Sequence, residues 1–483
     1  MRARSIKSVL PLILLVFIVY SCYKESTGGL SSFSVNSSAR LSTIEESPFI
    51  KTADSAISTF SIDADGASYA LFRQFINKNQ NPVKEAIRSE EFMNYFTYDY
   101  PDPIDNSAIA VNGEVSECPW KDGNKLIRIG IKGRSAPISK YPSANFVLLI
   151  DVSGSMQTDN KLDLLKKGFI EFVNQMKVQD RIAIVTYAGN AGLVLGSTPG
   201  SQKDMIKSKI SELKPGGSTN GAAGIKLAYE IAQQNFITNG NNRVILGTDG
   251  DFNVGVSSQQ DLETLIISKR DNGIFLTVLG VGTDNLNEAM MEQVANKGNG
   301  NYEYIDNKEE IKKIFIDEYS KFLTVAKDVK IQVAFNPSLV EEYRLIGYEN
   351  RALTTNDFTD DKKDAGEIGA GQTITAIYEI KPVSNVNNHV LPTFSIDFRY
   401  KLPAETISNS ISLEIFDAGN SFSQSSESMR FSASCVALSM YLRNSPYRGT
   451  ITLSDIKSWA NNARLFDPNR YREKHVELLS RVK

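Results

Sequence analysis

Asn145-Phe146-Val147-Leu148-Leu149-Ile150-Asp151-Val152-Ser153-Gly154-Ser155-Met156 is the stretch on which the reading of the whole chain turns. Phe146 to Ile150 is an apolar run without polar alternation, as expected of a strand buried on both faces of a parallel sheet. It breaks into Asp151-x-Ser153-x-Ser155, where Gly154 lets the backbone turn tightly. A carboxylate and two hydroxyls on one short loop are hard oxygen ligands that suit Mg²⁺ or Mn²⁺. Open α/β sheets place their ligands at the C-terminal ends of such strands. Taken alone, the loop is equally well read as a Ser/Gly turn after a core strand.

Two later pieces complete a set. Gly216-Gly217-Ser218-Thr219-Asn220 sits between helical stretches and offers a further hydroxyl, and the run Val244 to Gly247 ends in Thr248-Asp249-Gly250. In this order and spacing, the three parts resemble the metal-ion-dependent adhesion site of von Willebrand factor type A (VWA) domains. The resemblance implies Ser153, Ser155 and Thr219 as hydroxyl ligands, with Asp151 and Asp249 binding directly or through water.

Outward from this core, strand and helix patterns alternate from about Asn145 to Leu323. Leu162, Leu165, Phe169, Phe172 or Val173, and Met176 recur at helical spacing. The alternation predicts a doubly wound α/β domain over 143–325, ending in a helix from Glu309 to Leu323. Before it, 55–107 reads as helical, with the stretch from Ser58 leading into a helix over Tyr69 to Asn77 and a second over Val83 to Tyr95, and 108–134 reads as strands. After it, 326–425 reads as strands and 426–483 as helices, one of them capped by Ser454. The flanking strands are expected to form one β-sandwich-like domain with the α/β unit inserted between them. Asp63-x-Asp65-Gly66 lacks the acid a calcium loop needs at its twelfth position, where Phe72 stands, so it reads as a turn. Asp357, Asp360, Asp361, Asp364 and Glu367 read as a solvated hairpin tip.

Length and composition bound the function. The 483 residues suffice for about two to four domains. A formal charge of −3 with acids and bases interspersed argues against a nucleic-acid surface. His389 and His475 are far apart in sequence, leaving almost no material for a His-based metal site or triad. Cys22, Cys118 and Cys435 form no CxxC pair. Cys435, among small and apolar neighbours, reads as a buried thiol, with pairing to Cys118 left open.

Arg2, Arg4 and Lys7 precede the apolar run Val9 to Tyr20, a signal-peptide pattern too short to span a bilayer. Val19-Tyr20-Ser21-Cys22 resembles a bacterial lipobox, although Tyr20 is bulkier than the residue usual there. The expectation is a signal peptide over 1–22, lipidation of Cys22, a flexible tether over 23–54 and a lipid-anchored exported protein. Tyr23 after Cys22 leans this towards the outer membrane.

The resemblance widens to a bacterial family of secreted VWA lipoproteins. Arg88-Ser-Glu-Glu-Phe-Met-Asn-Tyr-Phe96, Asn242-Arg-Val-Ile-Leu-Gly-Thr-Asp-Gly-Asp-Phe-Asn-Val-Gly255, Ala326-Lys-Asp-Val-Lys-Ile-Gln-Val333 and Arg344-Leu-Ile-Gly-Tyr-Glu-Asn-Arg351 carry it. Some members bear a calcium-activated chloride-channel label, which the lack of a membrane-length segment argues against. The resemblance implies a divalent ion, Mg²⁺ or else Mn²⁺ or Ca²⁺, neutralised by Asp151 and Asp249 and completed by an Asp or Glu of a partner protein. Met156, Asn220, Asp251 and Phe252 are expected to tune partner choice. A scaffold with a constitutively filled or vestigial site is the alternative. A metal-dependent hydrolase fits less well, because the sequence offers no second metal cluster, His base, P-loop or HExxH.

Overall fold

The computed structural model describes residues 45–105, 107–158, 160–218, 220–250, 259–282, 287–384 and 390–482. Cys22 and its leader lie outside them.

All eight residues of the Ala144–Asp151 strand are buried. It runs parallel to both neighbours, with Val147 paired to Ala183 on one side and Val244 on the other. The sheet order is Tyr302–Ile305, Ile274–Val281, Asn241–Thr248, Ala144–Asp151, Arg181–Tyr187, Ala191–Pro199, and only the last strand is antiparallel to its neighbour. Alternate side chains of a strand face opposite ways. Val147 and Leu149 therefore enter one apolar layer with Ile225, Ala228 and Ile266, while Phe146, Leu148 and Ile150 enter the other with Leu165, Phe169 and Ile314. Helices cover both faces, which is the doubly wound architecture expected from the alternation.

The strands that flank this unit belong together. Lys125–Gly133 pairs with Thr373–Pro382, Ile131 opposite Ile374 and Ile127 opposite Tyr378. The sheet also holds Ile109–Glu117, Val340–Ile346 and the short Ile50–Lys51. A second sheet holds Ala352–Leu353, Ile57–Ser61, Thr324–Phe335, Phe394–Lys401 and Asn409–Ile415, with Gly366–Gly369 paired to Thr324–Phe335. Both sheets feed one hydrophobic core, shared with the Glu427–Arg443 helix. That helix is buried almost all round, and its Ser432, Ser434 and Ser439 hydroxyls donate to carbonyls three or four residues back. Buried hydroxyls satisfied on their own helix cost the core little.

Four local expectations differ from the structure. Ile57–Ser61 is a strand rather than a lead into helix, and the Val83–Tyr95 stretch is a 3₁₀ turn at Lys84–Ala86 followed by a helix at Ser89–Asn94. The cap of the Leu453–Asn461 helix is Thr452, in a capping box with Asp455, rather than Ser454. The Glu309–Leu323 segment is not one helix: it runs from a helical turn at Lys308–Lys312 through a π turn at Lys313–Asp317 to a 3₁₀ turn at Tyr319–Phe322. The π turn inserts an extra residue into the coil, and Phe315, Tyr319 and Phe322 all meet Phe172. Cys118 and Cys435 are buried free thiols, and burial pushes Cys435 up to about 12. Among the described residues, no helix is long and apolar enough to cross a membrane.

Candidate metal centre

The buried strand delivers Asp151 to the sheet's C-terminal edge with no solvent exposure. One carboxylate oxygen, Oδ1, accepts the Ser153 backbone N–H at 2.8 Å, which closes the loop on itself. The other, Oδ2, accepts from Tyr187 Oη at 3.1 Å and Thr248 Oγ1 at 3.3 Å, the last residues of the two neighbouring strands. Burial pushes Asp151 up to about 6 despite these donors, and Asp249 adds to the rise. Ser153 Oγ lies 3.0 Å from Ser155 Oγ. Gly154 N–H donates to Gly217 O at 3.0 Å and Gly216 N–H to Val152 O at 2.7 Å, stapling the two glycine-rich loops together. Gly217, at φ 91°, adopts a conformation that favours glycine there.

Asp151, Ser153, Ser155 and Asp249 are thus brought to one edge of the sheet. Thr219, Asp251 and Phe252 lie outside the described residues. Two expectations about specificity change. Met156 has no exposed surface and packs in the hydrophobic layer with Ile150 and Leu162, so it cannot meet a partner. Asn220 accepts the Ala223 N–H at 3.3 Å as the cap of the Gly221–Gln234 helix.

Sequence reading missed Lys161. Its ammonium, with the side chain 3% exposed, lies 2.9 Å from the Oδ2 of fully buried Asp249. Asp151, Asp249 and Lys161 together carry one negative charge rather than two, which changes the balance expected from the two acids alone. Hydroxyls and carboxylates at this edge are a donor set that fits a hard divalent ion, and Lys161 leaves such an ion short of negative charge. The only hint in the sequence is a lysine just ahead of the Leu162–Gln175 helix.

Carboxylates also gather elsewhere. Asp63, Asp65 and Glu292, and separately Asp328, Asp364 and Glu367, each bring one ligand atom per residue within 4.8 Å of one another.

The doubly wound sheet, with its helices and the loop at Asp151, defines a VWA module carried on a two-sheet domain. A family model for the von Willebrand factor type A domain matches residues 145–316. Domains of this type are non-catalytic protein-interaction modules. Further family models match 35–128 (von Willebrand factor) and 320–483 (Uncharacterized protein YfbK, C-terminal). The Uncharacterized protein YfbK of Escherichia coli strain K12 is 38% identical over 468 residues, covering 91% of this chain and 80% of that protein. The chain belongs to the YfbK family. The Magnesium-chelatase 67 kDa subunit of Chlorobaculum tepidum is 24% identical over 262 residues, 47% of this chain and 42% of that protein. Among solved structures, a von Willebrand factor type A protein from Catenulispora acidiphila matches at TM-score 0.46 and 14% identity, over 77% of this chain and 89% of that one.

Proposed function

We propose that this chain is an adhesion or protein-interaction protein that holds a divalent cation on Asp151, Ser153, Ser155, Thr219 and Asp249. The observation that carries the reading is the convergence of the Asp151 carboxylate and the Ser153–Ser155 hydroxyl pair at the C-terminal edge of the central strand, beside buried Asp249. Held by mostly neutral ligands, and with Lys161 cancelling part of the acid charge, a bound ion keeps net positive charge. That charge draws an Asp or Glu carboxylate from a partner. Mg²⁺ is the ion proposed first. The leader and Cys22 supply the remaining part of the proposal: export and a lipid anchor, at the outer membrane.

Calorimetric titration of Mg²⁺ and Mn²⁺ into EDTA-stripped protein tests the site. Saturable binding that Ser153→Ala abolishes supports it. A second reading, an envelope scaffold with a vestigial site, is favoured by the Lys161–Asp249 pair, which gives Asp249 an internal counter-ion. Absence of heat and of any melting shift with either ion would put the scaffold reading ahead.

A further inference from the structure

The acidic run Asp357 to Glu367 does not behave as one solvated hairpin tip. Asp357 closes a capping box with Thr354, and Asp361 takes Arg399 at 3.0 Å and Ser408 at 2.5 Å. Asp364 and Glu367 instead meet Asp328 from the Thr324–Phe335 strand, one oxygen of each within 4.8 Å of the others. Asp328 sits at φ 53° where the strand register slips between Lys327 and Lys330, a break of the kind that re-aims a side chain.

Two cations form direct ion pairs with two of these three carboxylates, while Arg243 and Arg270 favour the charged form of the third from further off. Arg270 Nη1, at the end of the Gln259–Asp271 helix, lies 2.6 Å from Asp364, and Lys401 Nζ lies 2.8 Å from Asp328. Glu367 is 9% exposed, and its Oε1 is buried without a hydrogen-bond partner. Burial, with Asp364 and Asp328 adding to it, holds that carboxyl well above the usual range. The other triad is answered differently. Arg351 lies 2.9 Å from Asp63 and 3.6 Å from Asp65, and Arg88 lies 2.8 Å from Glu292, so guanidinium groups stand where a cation would.

We propose that Asp328, Asp364 and Glu367 form a second divalent-cation site of calcium type, distinct from the Asp151 loop and placed where the two-sheet domain meets the VWA module. Three carboxylates on two strands and a loop are hard oxygen donors of the kind Ca²⁺ accepts in flexible geometry, whereas Mg²⁺ demands a near-ideal octahedron. Asp364 and Glu367 line a cleft of 810 Å³ that is also lined by Ala289, Gln293 and Asn296 of the module's Glu288–Lys297 helix. The Asp364 side chain, 33% exposed, leaves the ion a way in. A cation there gives the unpartnered Glu367 oxygen a ligand and ties the Thr324–Phe335 and Gly366–Gly369 strands together, sharing Asp364 with Arg270 of the module.

The test is calorimetric titration of CaCl₂ into the EDTA-stripped full chain, with excess Mg²⁺ present to load the Asp151 loop. The wild type and Ser153→Ala are each expected to bind one calcium, and Glu367→Gln to bind it about tenfold or more weakly. Without metal, Glu367→Gln is expected to melt above the wild type, because it removes a buried carboxyl that is costly to ionise and whose Oε1 lacks a hydrogen bond; with calcium that advantage shrinks. If the variant does not fold, Asp364→Asn carries the binding comparison. No saturable calcium binding in the wild type, or equal binding in the Glu367 and Asp364 variants, overturns the proposal. So does a Glu367→Gln protein that melts lower without metal, since Glu367 would then be a structural ion-pair partner.

Discussion

Lys161 controls the charge at the Asp151 edge. Replacing it with Met leaves Asp249 without its ammonium in a fully buried place, a loss of about 3–5 kcal/mol for a broken buried pair. Urea unfolding of Lys161→Met in EDTA is expected to show that loss. Saturating Mg²⁺ should recover part of it, because a divalent ion restores the missing positive charge, and the variant should bind Mg²⁺ more tightly than the wild type. His475 gives a second residue-scale expectation. It is 1% exposed, its Nδ1 lies 2.8 Å from Tyr69 Oη, and burial lowers it to about 3. The folded value is below the unfolded one of about 6.5, so the neutral imidazole contributes its full stability above pH ~6.5. That contribution falls as pH drops from there towards 3. Comparing urea midpoints at pH 7.5 and 5.5 for the wild type and His475→Phe, which keeps the ring but cannot titrate, should show a shallower loss in the variant.

Gly224, in the Gly221–Gln234 helix, lies against the strand end that supports the metal loop. A Cβ there would sit 2.8 Å from Tyr187 Cβ, and Tyr187 is the residue whose hydroxyl donates to Asp151. Gly224→Ala gains about 1 kcal/mol of helix propensity. Overpacking costs about 1–3 kcal/mol, and both partners here are backbone-proximal atoms with little room to move, so the steric term wins. The variant is expected to be less stable by thermal melting and to bind Mg²⁺ more weakly, because Tyr187 must shift. A variant that is both more stable and unchanged in metal binding would show that the helix can slide without consequence.

The VWA module and the two-sheet domain meet through buried charge. Arg351 bridges Asp63 and Asp65, Arg88 bridges Glu91 and Glu292, and Asn350 donates to Glu292 at 2.6 Å. Glu292 belongs to the module, as does Asn296, which accepts from Arg351 at 2.9 Å, and the rest belong to the other domain. Such a network adds little net stability when complete, but loss of one member strands the others. Arg351→Met is therefore expected to cost about 3–5 kcal/mol and to split a single calorimetric transition into two, the module separating from the two-sheet domain. A single, equally cooperative transition would mean that the apolar contacts alone couple the two parts.

Sequence reading reached the Ala144–Asp151 strand, the loop after it and the Thr248-Asp249 strand end, because uninterrupted apolar runs and oxygen-bearing turns are local patterns. The doubly wound order and the flanking strands were legible for the same reason. The registers that seal the inserted arrangement, Ile131 on Ile374 and Ile127 on Tyr378, join residues more than two hundred positions apart, which no local period encodes. The role of Lys161 was hidden similarly: a lysine before a helix looks solvated until folding buries it against Asp249. Asp364 and Glu367 read as part of a polar tip because a charge run shows composition, not direction. Their meeting with Asp328 arises from a strand irregularity and the packing of two sheets, and long-range packing leaves no periodic trace in the chain.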